Sequence, residues 1–133
     1  MRTAIDTNIL LDVFLPDPRF GPSSKQVLES QFTKGSLLIG EIVYSEVAAF
    51  FPQKDLLEEA LQQLGIRFVP GGETACYLAG ETWKKYRKSG GSRQRVLADF
   101  LIGAHAITHA DGLLTRDRGF YKKYFPKLAL IES

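Results

Sequence analysis

Cysteine is nearly missing from this 133-residue chain, with Cys76 its single example. One thiol builds no disulfide framework, and a reducing cytoplasm is the expected compartment. With no partner indicated, Cys76 reads as a small core residue. Long apolar runs are missing too. None reaches the roughly 18 residues that cross a bilayer. Asp6 and Asp12 interrupt the apolar N-terminus, which excludes a signal peptide, so no membrane association is expected. Histidine is scarce: His105 and His109 lie four apart without an HExxH pattern and read as packing or surface residues. There is no Gly-rich phosphate loop, which argues against a nucleoside-triphosphate enzyme. Repeats, low-complexity segments and interdomain linkers are also lacking, so residues 1–133 are expected to form one domain.

What is present is an ordinary globular balance, 44% hydrophobic and 24% charged, with a net charge of +2. Short apolar runs at 2–6, 36–40, 66–70, 112–115 and 128–133 lack alternation, as strands buried on both faces of a parallel sheet do. Helical patterns fill the intervals. NILLDVFL follows the first run, and PSSKQVLESQF starts with Pro22, which suits a helix N-terminus. EIVYSEVAAFF stops at Pro52, and DLLEEALQQLG ends at Gly65. ETACYLAGETWKKYRK runs to Gly90, SRQRVLADFLIGAHAITHA is the longest apolar helix, and DRGFYKKYF is short. This alternation predicts an α/β/α sandwich. Ligands of such sheets gather outside the strands' carboxyl ends, where strand order reverses.

Four acids sit where acids are expensive. Asp6 ends the first apolar run, and Asp117 follows GLLT at a strand-to-helix junction. Glu46 lies within the apolar EIVYSEVAAFF. Asp99 is the one acid of VLADFLIGAHAITHA, on a face with Ile102, Gly103 and Ala106, where small side chains allow close approach. A buried carboxylate must be paired, protonated or metal-bound. Plainer alternatives exist for three of them. Asp99 can bridge to Arg93 or Arg95 or favour the helix dipole, Glu46 can share an exposed face with Ser45, and Asp117 can cap a helix. Asp111, in the turn HADG, belongs to the opposite sheet edge and reads as turn chemistry. Asp12 reads as a surface acid.

Taken together, Asp6, Glu46, Asp99 and Asp117 can meet at one sheet edge. Clustered carboxylates repel, and a divalent cation relieves the repulsion. All-oxygen donors without cysteine suit Mg²⁺ or Mn²⁺, not zinc. Such a site suits phosphodiester hydrolysis. With the four acids set aside, 17 basic residues face 11 acids, a balance of +6 that fits a polyanionic substrate. Lys84, Lys85, Arg87, Lys88, Arg93 and Arg95 form a basic stretch without an acid. With Arg116, they are candidate RNA contacts. The alternative for the stretch is a solvated helix end and loop.

The segments IDTNILLD, SEVAAF, ADFLIGAHA and LLTRDRGFY, in this order and spacing, resemble a PIN-domain ribonuclease, most of all the toxin of a VapBC-type toxin–antitoxin pair. The resemblance spans essentially the whole chain. It implies a five-stranded parallel sheet with the first strand central, flanked by about seven helices. It implies a Mg²⁺- or Mn²⁺-dependent endoribonuclease whose acids fall on Asp6, Glu46, Asp99 and Asp117, supported by Asn8 and Thr115. It also implies a homodimer and a cognate antitoxin. Gly40 departs from the pattern, standing where Ser or Thr is common. Two other readings are a PIN-type RNA-processing nuclease without an antitoxin and a Mg²⁺-dependent phosphatase or phosphoacceptor domain. The haloacid-dehalogenase pattern of the latter needs an acid where Asn8 stands.

Overall fold

The computed structural model describes residues 1–90 and 95–131. Five strands form one parallel sheet: β1 (Arg2–Ile5), β2 (Ser36–Ile39), β3 (Ile66–Phe68), β4 (Gly112–Leu114) and β5 (Leu130–Ile131). Their spatial order is β3-β2-β1-β4-β5, so the first strand is central, as expected. Thr3 pairs with Leu37 on one side and with Gly112 on the other. The three inner strands bury Thr3, Ala4, Ile5, Leu37, Leu38, Ile39, Leu113 and Leu114. That burial on both faces is why their sequences run apolar instead of alternating.

Seven helices cover the sheet: α1 (Thr7–Phe14), α2 (Gly21–Lys34), α3 (Glu41–Ala48), α4 (Lys54–Gln63), α5 (Gly72–Lys88), α6 (Leu97–His109) and α7 (Arg118–Tyr124). Gly65 ends α4 with φ +70°, a conformation costly for residues with a Cβ. None of the described helices is long and apolar enough to cross a membrane. An aromatic cluster of Tyr86, Phe100, Phe120, Tyr124 and Phe125 joins α5, α6 and α7, with ring centroids 5.2–6.3 Å apart. The small residue on the Asp99 face has a clear use here. A Cβ on Gly103 would come within 2.5 Å of the Phe125 ring.

Three expectations need correction. α6 begins at Leu97, five residues later than the apolar pattern indicated, and Val96 is extended at its N-cap. The earlier residues 92–94 lie outside the described ones. Cys76 is exposed, because α5 turns Ala75, Ala79 and Tyr86 inward and Cys76 sits about 100° round the helix. Asp12 is a buried acid, 4% exposed. The Arg116 guanidinium grips both its oxygens at 2.9 and 2.8 Å, and the Ser24 hydroxyl donates to it at 2.7 Å. These partners come from α2 and from the loop after β4, so local patterning around Asp12 carries no trace of them.

Candidate active site

The chain leaves β1 toward β2 and β3, then returns past β1 to β4 and β5. Strand order therefore reverses between β1 and β4, and a crevice opens at their carboxyl ends. Asp6 occupies that point. Its backbone N–H donates to Leu114 O of β4 at 2.9 Å, which fixes it across the crevice. Asp6 is also the N-cap of α1, where a carboxylate is favoured, and it accepts from Thr7 N at 2.8 Å.

The other Asp6 oxygen accepts from Thr115 Oγ1 at 2.7 Å and from Asn8 Nδ2 at 3.4 Å. Thr115 is fully buried at the end of β4, and its hydroxyl also accepts from Asp117 N at 2.9 Å. One hydroxyl thus links the two strand-end acids. Burial pushes the Asp6 carboxyl above the usual aspartate range. Donation by Thr115 and Thr7 opposes the shift, and the charges of Asp117 and Glu46 add to it. Both of these acids therefore lie close enough for Asp6 to feel them.

Glu46 is exposed at the rim and accepts from Thr7 Oγ1 at 2.6 Å. Asp99 is in the first turn of α6, where it accepts from Val96 N at 3.2 Å. Asp117 stands at the N-cap position of α7 yet makes no capping bond. Arg95 takes both its oxygens instead, at 2.6 and 3.1 Å. Tyr121 is 2% exposed and lies within electrostatic reach of Asp6. Burial, chiefly, and the charges of Asp6, Asp99 and Asp117 raise its phenol far above the normal tyrosine range. It is therefore neutral, within electrostatic reach of all three aspartates.

Thr7, Tyr121 and the Arg95–Asp117 pair were not singled out in these roles from sequence. Thr7 is the middle residue of DTN, and Tyr121 follows Asp117 by four positions, one helical turn on. Among the described residues, no three His, Cys, Asp or Glu side chains close on a point as a finished metal cage. The donor set itself suits a hard cation. It is all oxygen, Asp6 is held against its own burial cost, and the buried Oδ1 of Asn8 has no hydrogen-bond partner.

Of the candidate RNA contacts, Lys85 and Lys88 are exposed near the end of α5, Lys84 pairs with Glu81 at 3.6 Å, and Arg87 lies over the Trp83 ring at 5.0 Å. Arg95 and Arg116 are committed to carboxylates. Arg93 lies outside the described residues. The histidines pack, as expected. His105 Nε2 meets Val69 O at 2.7 Å and His109 Nε2 meets Gly71 O at 2.6 Å, tying α6 to the loop before α5. Gly40 has a steric role in the same place, since a Cβ there would come within 2.5 Å of the His105 ring. Asp111 accepts from Arg2 N at 2.6 Å at the far edge of the sheet.

Fold and site together define a doubly wound parallel α/β domain with carboxylates gathered at its switch point. The chain belongs to the PIN domain family, whose model matches residues 3–126. PIN domains are generally nucleases. No curated protein matches the chain. Among solved structures, it is similar to a chain of VapBC2 from Rickettsia felis bound to a DNA fragment from the promoter, at 20% identity and TM-score 0.73, covering 100% of this chain and 99% of that one. FitAcB from Neisseria gonorrhoeae is similar at 22% identity and TM-score 0.70, covering 97% and 96%. VapBC-1 from nontypeable Haemophilus influenzae follows at 19% identity and TM-score 0.68, covering 99% and 98%.

Proposed function

We propose that this protein is a Mg²⁺- or Mn²⁺-dependent endoribonuclease, the toxin of a toxin–antitoxin pair, with Asp6, Glu46, Asp99 and Asp117 as its metal-holding acids. The observation that carries the reading is Asp6 itself. It is a buried carboxylate at the switch point, raised in pKa by burial and by two neighbouring acids, yet held in place by donors. When bound, the divalent ion supplies charge neutralisation and water activation for phosphodiester hydrolysis.

The chain's own residues do the positioning. Thr115 sets the spacing of Asp6 and Asp117, because its hydroxyl bonds to both residues. Thr115 and Asn8 fix the second Asp6 oxygen in rotation. Glu46 is exposed and oriented by Thr7 at the solvent side of the site. Lys85 and Lys88 offer phosphate contacts beyond the acids.

The partners follow from the neighbours. Chains of VapBC, FitAcB and a Klebsiella pneumoniae toxin–antitoxin complex share this fold, which supports a cognate antitoxin; a homodimer and a cytoplasmic setting belong to the same reading. The test is to incubate the protein with total RNA, with Mg²⁺ and with chelator, and to map the cut sites. Internal cuts that need Mg²⁺ support the enzyme class, and intact RNA under both conditions refutes it. A small DNA-binding protein encoded next to this chain that binds it and blocks cleavage supports the toxin role. Cleavage with no such neighbour leaves an RNA-processing nuclease.

A further inference from the structure

This inference rests on the metal-site reading above. Asp117 is needed for a cation, yet both its oxygens are occupied by Arg95. The guanidinium also lies within electrostatic reach of Asp99 and 4.3 Å from the Phe120 ring centroid. It therefore stands between two of the proposed ligands as a ready-made positive charge. Both side chains of the pair are about one-third exposed, at 31% and 34%, so water can reach the contact and the pair can be opened cheaply. Phe120 keeps the arginine at the site once its carboxylate is gone, because a guanidinium stacks on an aromatic face.

We propose that Arg95 is a resident counter-ion of the acidic site. It holds Asp117 while no divalent ion is bound, competes with that ion for the carboxylate, and on release takes a phosphate oxygen of the RNA. The guanidinium fork matches phosphate as well as carboxylate, so the same side chain can serve both partners in turn. Cation binding and RNA binding are thereby coupled, because the first frees the group that makes the second.

The test uses Arg95→Gln and Arg95→Lys, with folding verified by thermal melts. Mn²⁺ is titrated calorimetrically into RNA-free protein. RNA affinity is then measured with Ca²⁺ in place of Mg²⁺. Loss of the competing charge should tighten Mn²⁺ binding about tenfold in Arg95→Gln, the scale on which one nearby charge shifts an ionic equilibrium. Arg95→Lys should fall between Arg95→Gln and wild type. RNA affinity in Ca²⁺ should weaken about tenfold in Arg95→Gln. Unchanged or weaker Mn²⁺ binding in Arg95→Gln overturns the competition, since a merely structural arginine would loosen Asp117 and weaken the site. Unchanged RNA affinity overturns the phosphate role. A wild-type protein that takes up no Mn²⁺ refutes the metal reading itself, whereas wild-type uptake with no gain in Arg95→Gln refutes only the role of Arg95.

Discussion

Two aspartate–arginine pairs sit side by side in this molecule, and they do different jobs. Arg116 and Asp117 are adjacent in the chain, in the loop that follows β4. Arg116 turns to Asp12 on α1, and Asp117 turns to Arg95. Both pairs are two-pronged, with distances of 2.6–3.1 Å. Their surroundings differ. Asp12 is 4% exposed, with Ser24 adding a hydrogen bond beside the Arg116 fork. Asp117 is 34% exposed and lies within electrostatic reach of Asp6. The first pair is a brace that closes the loop onto α1 and α2. The second is a contact that can be exchanged.

The largest expected effect separates the two. Arg116→Ala leaves a buried carboxylate with only Ser24, and should cost about 3 kcal/mol in denaturant unfolding. Arg95→Ala breaks a pair that is about one-third exposed and should cost under about 1 kcal/mol. Equal losses would erase the distinction between brace and latch.

Asp6→Asn comes next. Cleavage should fall by at least about a hundredfold, the scale of losing a group that stabilises transition-state charge. The metal-free protein should instead gain stability at pH 7. Because the folded-state pKa of Asp6 is raised, the folded protein binds the proton more tightly than the unfolded chain. Wild-type stability linked to Asp6 is therefore present at low pH and is lost as pH rises through that raised value. The advantage of Asp6→Asn should thus shrink as unfolding is measured from pH 7 down toward pH 3.8. An advantage that grows on acidification would contradict the burial account.

Neutralising Lys84, Lys85, Arg87 and Lys88 together should weaken RNA binding and flatten its salt dependence, with little effect on cleavage chemistry at saturating RNA. An unchanged salt slope would return the stretch to a solvated surface.

The smallest effect belongs to His105. Burial lowers its pKa below 6.5, so the unfolded chain protonates first. Its contribution is complete above pH 6.5 and is lost as pH falls through the lowered folded value. His105→Gln should therefore lose less stability than wild type between pH 7 and pH 5 in parallel melts.

How much of this was readable from sequence differs between the same two regions. Asp6 and Asp117 stood out because each carboxylate closes an apolar strand at the sheet's carboxyl edge, although a helix cap could have explained Asp117 by itself. The parallel sheet followed from short, non-alternating runs, and the central first strand from the family resemblance alone. Asp12 was misread because its α1 neighbours look amphipathic, and the residue that neutralises it lies 104 positions away. Arg95 was read as a partner for RNA or for Asp99. Once α6 begins at Leu97, Arg95 precedes the helix, and Asp117 is what it reaches. Pairings of this kind depend on loops brought together by the sheet, and local periodicity does not encode them.

The central claim is that the switch-point acids work together, with a divalent ion, on RNA. The most direct measurement is RNA cleavage across a Mg²⁺ titration by wild type, Asp6→Asn and Asp99→Asn, each confirmed as folded by its melt. The account predicts Mg²⁺-dependent cleavage by the wild type and at least about a hundredfold less by either variant at every Mg²⁺ concentration. Full cleavage by either variant, or wild-type cleavage that persists in chelator, would contradict it.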